Sequence, residues 1–124
     1  MLNCLCVGIG GFAGAVLRYL IGLIPVKETM IFPIKTFAVN ILGCFLIGCI
    51  SAAAVRSAET SLNPRLILLL KTGVCGGFTT FSSFALETTG LMRDGHWKTA
   101  LFYAVLSVIA GVGAAFAPEM LAGR

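Results

Sequence analysis

Charged residues are scarce in this chain. Asp, Glu, Lys and Arg together make up 11% of its 124 residues, whereas 58% of the residues are hydrophobic. Water-soluble domains carry about 25% charged residues, because their surfaces must interact with water. A soluble bundle of this length could not cover so much apolar surface with so few charges, so the composition predicts one membrane-embedded unit.

Recognisable catalytic and metal-binding motifs are also missing. The sequence contains no GxSxG, Walker or HExxH motif, and its five acidic residues are scattered. The single histidine, His96, lies outside any Cys or carboxylate cluster, and the five cysteines lack the spacing of a structural zinc site. We therefore expect a protein that is not an enzyme, with cysteines that behave as small hydrophobic side chains.

Four apolar stretches dominate the chain instead. Each approaches or exceeds the roughly 20 residues that an α-helix needs to cross about 30 Å of hydrocarbon. Short polar connections separate them, and prolines fall at their boundaries, where a missing N–H costs least. We predict an all-α integral membrane protein, a single domain over residues 1–124 with four transmembrane helices and both termini on one side. The stretches cover about residues 2–24, 33–55, 66–92 and 99–117, and the prolines are Pro25, Pro33, Pro64 and Pro118.

Basic residues are divided almost evenly between the two predicted sides of the membrane. An excess of Lys and Arg on one side normally fixes the orientation of a membrane protein. Without such an excess, we expect insertion in both orientations, so that two oppositely oriented copies can pack as an antiparallel dimer. The alternative is a single orientation set by weaker signals. The side of the termini has Arg56, Arg65 and Arg124, and the opposite side has Lys27, Lys35, Arg93 and Lys98.

Three charged residues fall inside the predicted spans, where charges are costly and usually functional. Arg18 and Glu87 each lie about six residues, or roughly 9 Å, from the same side of the membrane. They could form a pair or line a water-filled vestibule. Lys71 lies at a similar depth from the opposite side, level with Glu87 of an antiparallel second copy. The alternative for Arg18 and Lys71 is that their long side chains reach the membrane surface.

The centre of the third stretch, GVCGGFTTFSSF (residues 73–84), is unusual for a membrane helix. Each of its glycines weakens a helix by about 1 kcal/mol relative to Ala, which predicts that the helix unwinds in mid-membrane. The carbonyls freed by such a break suit a cation, and the N-terminus of the following half-helix suits an anion. The alternative is a glycine-lined packing face whose hydroxyls bond back to their own helix. The hydroxyl residues are Thr79, Thr80, Ser82 and Ser83.

Three segments resemble the span patterns of the CrcB/Fluc family of fluoride channels. GGFAGAVLRY (residues 10–19) is similar to the first span, VNILGCFLIG (39–48) to the second, and GVCGGFTTFSSF to the signature of the third. The resemblance implies a passive, fluoride-selective channel that exports cytoplasmic fluoride through a bacterial cell membrane. It also implies a dual-topology antiparallel homodimer in the lipid bilayer, with two pores, a broken third helix and a structural Na⁺ at the dimer centre.

The resemblance assigns roles to individual residues by their match to the family signature. The backbone carbonyls of Gly76 and Thr79 would hold the sodium ion. On the last span, which has no sharp motif, Tyr103 and Ser107 would continue a polar track. Position 83 is Ser where the family frequently has Thr, and a hydroxyl is kept. The implied pore residues are Asn40, Thr80, Phe81, Ser82, Ser83, Phe84, Tyr103 and Ser107.

A small dual-topology, proton-coupled drug exporter is the alternative function. Such exporters share the length, the four spans and the weak charge bias of this chain. They resemble one another in carrying a glutamate in the first span, where this chain has Arg18 and no acidic residue. A passive assembly subunit is a third possibility, but it would not need a broken helix. The net charge is +4, but the basic residues are distributed around the membrane flanks, so we expect no nucleic-acid partner.

Overall fold

The computed structural model describes residues 1–27, 29–56 and 63–121, and this part of the chain is helical apart from its short connections. Helix α1 spans Leu2–Gly22 and helix α2 spans Ile34–Arg56. The third segment runs over Pro64–Arg93, and the last helix spans Trp97–Leu121. Each of the four is long and apolar enough to cross a membrane. The all-helical, four-span architecture predicted from the sequence is therefore confirmed.

The third segment is interrupted in its middle, as its glycines and hydroxyls predict. Its first half-helix (residues 64–78) is followed by Thr79 and Thr80, whose backbones are extended, with ψ angles of 157° and 111°. The second half-helix spans Phe81–Arg93. The first half-helix is itself irregular, because residues Leu68–Cys75 form a π-helix. Local π-helical geometry is rare and often lies next to functional sites.

Helix α1 and the first half-helix pack backbone against backbone. Gly10, Gly14 and Gly73 are buried. A Cβ atom on Gly73 would lie 2.8 Å from the Cα of Gly10, and one on Gly77 would lie 3.0 Å from the Cα of Gly11. No real Cβ atom fits at the first of these distances. The glycines thus allow the close helix approach that small residues provide in membranes, and they bring α1 alongside the break.

Helix α2 packs along the last helix, and an aromatic cluster closes one end of this pair. Tyr103 is fully buried (0% exposed) and lies at the centre of the cluster. The ring of Phe32, from the connection before α2, lies edge-on to Tyr103 with 5.3 Å between centroids. Phe84 of the second half-helix lies 5.2 Å from Tyr103 on another side. The cluster therefore fixes the second half-helix against the last helix.

Two helix ends differ from the sequence prediction. Pro118, which was expected to bound the last span, is buried inside the last helix, which continues to Leu121. A proline inside a helix cannot donate to the carbonyl four residues earlier, which here is that of Ala114. Helix α1 ends at Gly22 rather than near residue 24, and the Lys35 Nζ donates to the Gly22 carbonyl at 2.7 Å. Arg124 and most of the connection before Asn63 lie outside the described residues.

The glycine contact generates a stability prediction. We expect Gly10→Ala to lower the free energy of unfolding by about 1–3 kcal/mol, because the new methyl group overlaps the backbone of the first half-helix. Gly8→Ala is the matched control: it lies on the same helix, and no atom lies within 4 Å of its Cβ position. Thermal unfolding of detergent-solubilised protein measures both. Equal midpoints for the two variants would contradict the close packing.

Candidate functional site

Asn40, on α2, holds the break in the third segment. Its Nδ2 donates to the Thr80 carbonyl at 3.1 Å, and the Thr80 backbone N–H donates to its Oδ1 at 2.8 Å. In a continuous helix the Thr80 N–H would donate to the Gly76 carbonyl instead. One amide side chain therefore replaces the helical bond that the Thr80 N–H loses and also binds the Thr80 carbonyl. The Asn40 Nδ2 carries two hydrogens, and one of them bonds the Thr80 carbonyl. The predicted role of Asn40 as a donor to an anion therefore depends on the second hydrogen.

Three hydroxyl groups converge where the second half-helix begins. The Thr80 Oγ1 caps this helix by accepting from the Ser83 backbone N–H at 3.1 Å. The same Oγ1 donates to the Ser83 Oγ at 3.0 Å and lies 3.2 Å from the Ser82 Oγ. The N-terminus of a helix carries positive partial charge. The capped turn therefore combines hydroxyl donors with a local field that favours an anion.

A cavity of about 320 Å³ lies beside the break. One of the residues that line it, Ser107, has a buried Oγ with no hydrogen-bond partner in the described part of the chain. An unsatisfied buried hydroxyl costs about 1–3 kcal/mol, so a polar guest in the cavity would be stabilised by this group. None of the lining residues is charged; they are Asn40, Gly43, Cys44, Ile47, Cys75, Gly76, Thr79, Thr80, Phe81, Phe84, Ser107 and Val108.

Phe81 and Phe84 face the cavity together, as their spacing on one helix face predicts. Their ring centroids lie 5.5 Å apart, with the ring planes tilted by 42°. Phe84 is half-buried against Tyr103, whereas Phe81 is 79% exposed in the single chain. The edge of an aromatic ring carries the positive end of its quadrupole. The two rings can therefore contact an anion without supplying a full positive charge.

Glu87 is held by two hydroxyl groups. The Thr36 Oγ1 donates to its Oε1 at 2.6 Å, and the Tyr103 hydroxyl donates to its Oε2 at 2.8 Å. The Tyr103 hydrogen is thus directed at a carboxylate, while Ser107, four residues later, lines the cavity. The structure therefore separates two residues that the sequence placed on one track. Thr36 was not identified from the sequence, because a single threonine at the start of a span carries no distinctive pattern.

Arg18 and Glu87 do not pair within the chain. The Arg18 Nε donates to the Gly77 carbonyl at 3.2 Å, whereas Glu87 is bound by Thr36 and Tyr103. Counting residues from the span ends gives the depth of each side chain in the membrane. It does not give the direction in which the side chain leaves the helix, and that direction decides which groups can pair. Arg18 borders a cavity of about 520 Å³, and Glu87 borders another of about 230 Å³. Lys71 is exposed, and its pairing with Glu87 of a second copy stays a prediction.

The cysteines are free thiols, as the sequence indicates. Cys44 and Cys75 line the cavity at the break, which the sequence did not reveal. Among the described residues, no group of three or more His, Cys, Asp or Glu side chains could hold a metal ion. The assignment of the Gly76 and Thr79 carbonyls to a sodium ion stays a prediction.

A model of the family described as CrcB-like protein, Camphor Resistance (CrcB), matches residues 5–118 of the chain. The chain belongs to the CrcB family. Its relatives include a fluoride-specific ion channel FluC from Chlorobaculum tepidum, 52% identical over 98% of this chain and 95% of the relative. A protein of the same name from Prosthecochloris aestuarii is 50% identical over 87% of this chain and 83% of the relative. A third, from Chlorobium chlorochromatii, is 48% identical over 86% and 81%.

The CrcB match encloses the whole break and every residue that we assign to it. The family predicted from the three sequence segments is thereby confirmed. The relatives' common name describes a channel rather than an enzyme. Together with the four helices able to span a membrane, it makes the chain a multi-pass membrane protein.

The Asn40 contacts generate a second prediction. Asn40→Asp replaces the Nδ2 donor by a carboxylate oxygen that repels the Thr80 carbonyl. We expect this variant to lose about 1–3 kcal/mol of stability in detergent, measured by thermal unfolding. Asn3→Asp, at an exposed position at the start of α1, makes the same chemical change and should have little effect. A wild-type midpoint for Asn40→Asp would show that Asn40 does not hold the break.

Proposed function

We propose that the protein is a fluoride-selective channel through which cytoplasmic fluoride leaves the cell passively. The observation that carries the proposal is the uncharged cavity at the break, where the Ser107 hydroxyl, without a partner among the described residues, lies beside two phenyl rings and a capped helix N-terminus. The relatives named fluoride-specific ion channel FluC support the choice of ion. A drug exporter is not favoured, because those relatives are channels and α1 has no acidic residue.

The chemistry of the cavity matches the demands of fluoride. Fluoride is small and strongly hydrated, so a dry pathway excludes it unless hydrogen-bond donors replace its water. Hydroxyls, an amide N–H and ring edges provide such donors. A fixed cation among them would bind the ion too tightly, because conduction requires binding that is favourable yet escapable. The proposed pathway residues are Asn40, Thr80, Phe81, Ser82, Ser83, Phe84, Tyr103 and Ser107.

An antiparallel homodimer completes the proposed channel. Irregular backbone and polar groups at membrane depth must be covered by protein or enclosed water and cannot face lipid. In the single chain, Gly76 and Phe81 are exposed beside the break, so this side requires a cover. A second copy inserted in the opposite orientation supplies one, in line with the even division of basic residues. Two equivalent copies then form two equivalent pathways.

A structural sodium ion fits the break. Because the Thr80 N–H donates to Asn40, the Gly76 carbonyl loses the donor that a continuous helix would give it. Gly76 also has no atom within 4 Å of its Cβ position, so its surroundings are open. We propose that the Gly76 and Thr79 carbonyls of both copies hold Na⁺. When bound, the ion would offset the partial negative charge of these oxygens.

Fluoride efflux from liposomes tests the function. We expect the reconstituted full-length protein to release encapsulated fluoride down its gradient, with chloride as the control ion released far more slowly. The flux should not depend on a proton gradient, since no coupling step is proposed. Chloride release at the fluoride rate, or proton-coupled export of a cationic drug, would reject the proposal.

The two phenylalanines generate a prediction for this flux. We expect Phe81→Ile and Phe84→Ile each to reduce fluoride efflux by at least about tenfold, equivalent to about 1.4 kcal/mol, because Ile has no ring edge to contact the ion. Phe116→Ile, at an exposed position on the last helix away from the cavity, is the matched control. Size-exclusion chromatography checks that all three assemble alike. Wild-type flux in both cavity variants would remove the rings from the pathway.

A further inference from the structure

Arg18 lies on the same face of α1 as the glycines that contact the first half-helix. Gly10, Gly14 and Arg18 are spaced four residues apart, so they follow one another along one side of the helix. The two glycines are buried against residues of the first half-helix. One turn further on, the Arg18 Nε donates to the Gly77 carbonyl at 3.2 Å. The glycine contact therefore places a guanidinium at the end of the first half-helix.

The Gly77 carbonyl is one of the groups that the break leaves without a helical partner. In a continuous helix it would accept from the Phe81 N–H, but the extended Thr79 and Thr80 remove that donor. The last carbonyls of a helix carry partial negative charge and require donors. Inside a membrane an unsatisfied carbonyl is especially costly. Arg18 meets this need with a charge-assisted hydrogen bond, which is stronger than a bond from a neutral donor.

We propose that Arg18 is a positioning residue of the ion pathway, in which its Nε–H takes the place of the Phe81 N–H at Gly77. Arg18 holds the carbonyl side of the break from α1, while Asn40 holds Thr80 from α2. Gly76, which neither of these hydrogen bonds involves, is left for the proposed cation. The flux part of this inference rests on the proposed fluoride channel function, but the hydrogen bond and its effect on the break do not.

A competing role for Arg18 is to attract anions by its charge. The residue borders the cavity of about 520 Å³ with Ala15, Tyr19, Gly22 and Leu23, so ions could approach it there. The two roles use different properties of the side chain. Anchoring requires an N–H at the position of Nε, whereas attraction requires a positive charge at any nearby atom.

Three substitutions separate these properties. Arg18→Gln places an amide nitrogen at the same number of bonds from Cα as the Nε, so it keeps the donor and removes the charge. Arg18→Met places a methyl group there and removes both. Arg18→Lys keeps the charge without a donor at that position. Arg93→Met removes a basic residue that the chain exposes at the end of the second half-helix, and it is the control for a general charge effect.

Backbone amide exchange and fluoride efflux are measured for each variant of the full chain. We expect Arg18→Met to exchange the Thr80 amide at least about tenfold faster, since its N–H is bonded to Asn40 only while the break is ordered. Its efflux should fall by a similar factor. Arg18→Gln should stay close to wild type in both measurements, and the ratio of wild-type to Arg18→Met flux should not change with ionic strength.

Opposite results overturn the inference. If Arg18→Gln loses flux while Arg18→Lys keeps it, the charge rather than the donor matters. Wild-type exchange at Thr80 in Arg18→Met would show that the break does not depend on this bond. Should Arg18→Met fail to fold, the comparison of Arg18→Gln with Arg18→Lys still decides between the two roles. A wild-type protein that releases no fluoride rejects the proposed function, and the exchange measurement then tests the anchor alone.

Discussion

Inside a bilayer, each backbone N–H and C=O needs a partner within the protein or in enclosed water. An uninterrupted helix meets this requirement internally, so a break in a membrane helix requires replacement partners from elsewhere. In this chain Asn40 binds both backbone groups of Thr80, and Arg18 binds the Gly77 carbonyl. These side chains reach a stretch of backbone that would otherwise bond to itself, and the uncharged cavity lies beside it.

The rest of the fold brings those partners to the break. Glycines on α1 and on the first half-helix bring the two backbones into contact, and a side chain on α1 can then reach the break. On the other side, the buried Tyr103 packs against Phe84 and donates to Glu87, which fixes the second half-helix relative to the last helix. Packing between helices thus determines where the freed backbone groups point. The chemistry proposed for the cavity follows from that arrangement.

The sequence predicted those features that depend on composition and local backbone preference. Hydropathy located four spans, and the glycines and threonines around Gly76 located the break, because each signal lies within one segment. Contacts between segments were harder to predict. The depth of Arg18 and Glu87 gave a common level in the membrane, but their partners, Gly77 and Thr36, depend on how the helices are rotated. The local rule that proline bounds a helix also failed at Pro118, which lies inside the last helix.

Both anchors of the break precede it in the chain, at positions 18 and 40, ahead of Gly76 to Thr80. Because synthesis begins at the N-terminus, α1 and α2 leave the ribosome before the interrupted segment. The Arg18 guanidinium and the Asn40 amide are thus present when the glycine-rich stretch is synthesised, and they can bind its backbone groups. Synthesis from the N-terminus therefore provides both hydrogen-bond partners before the backbone that they bind.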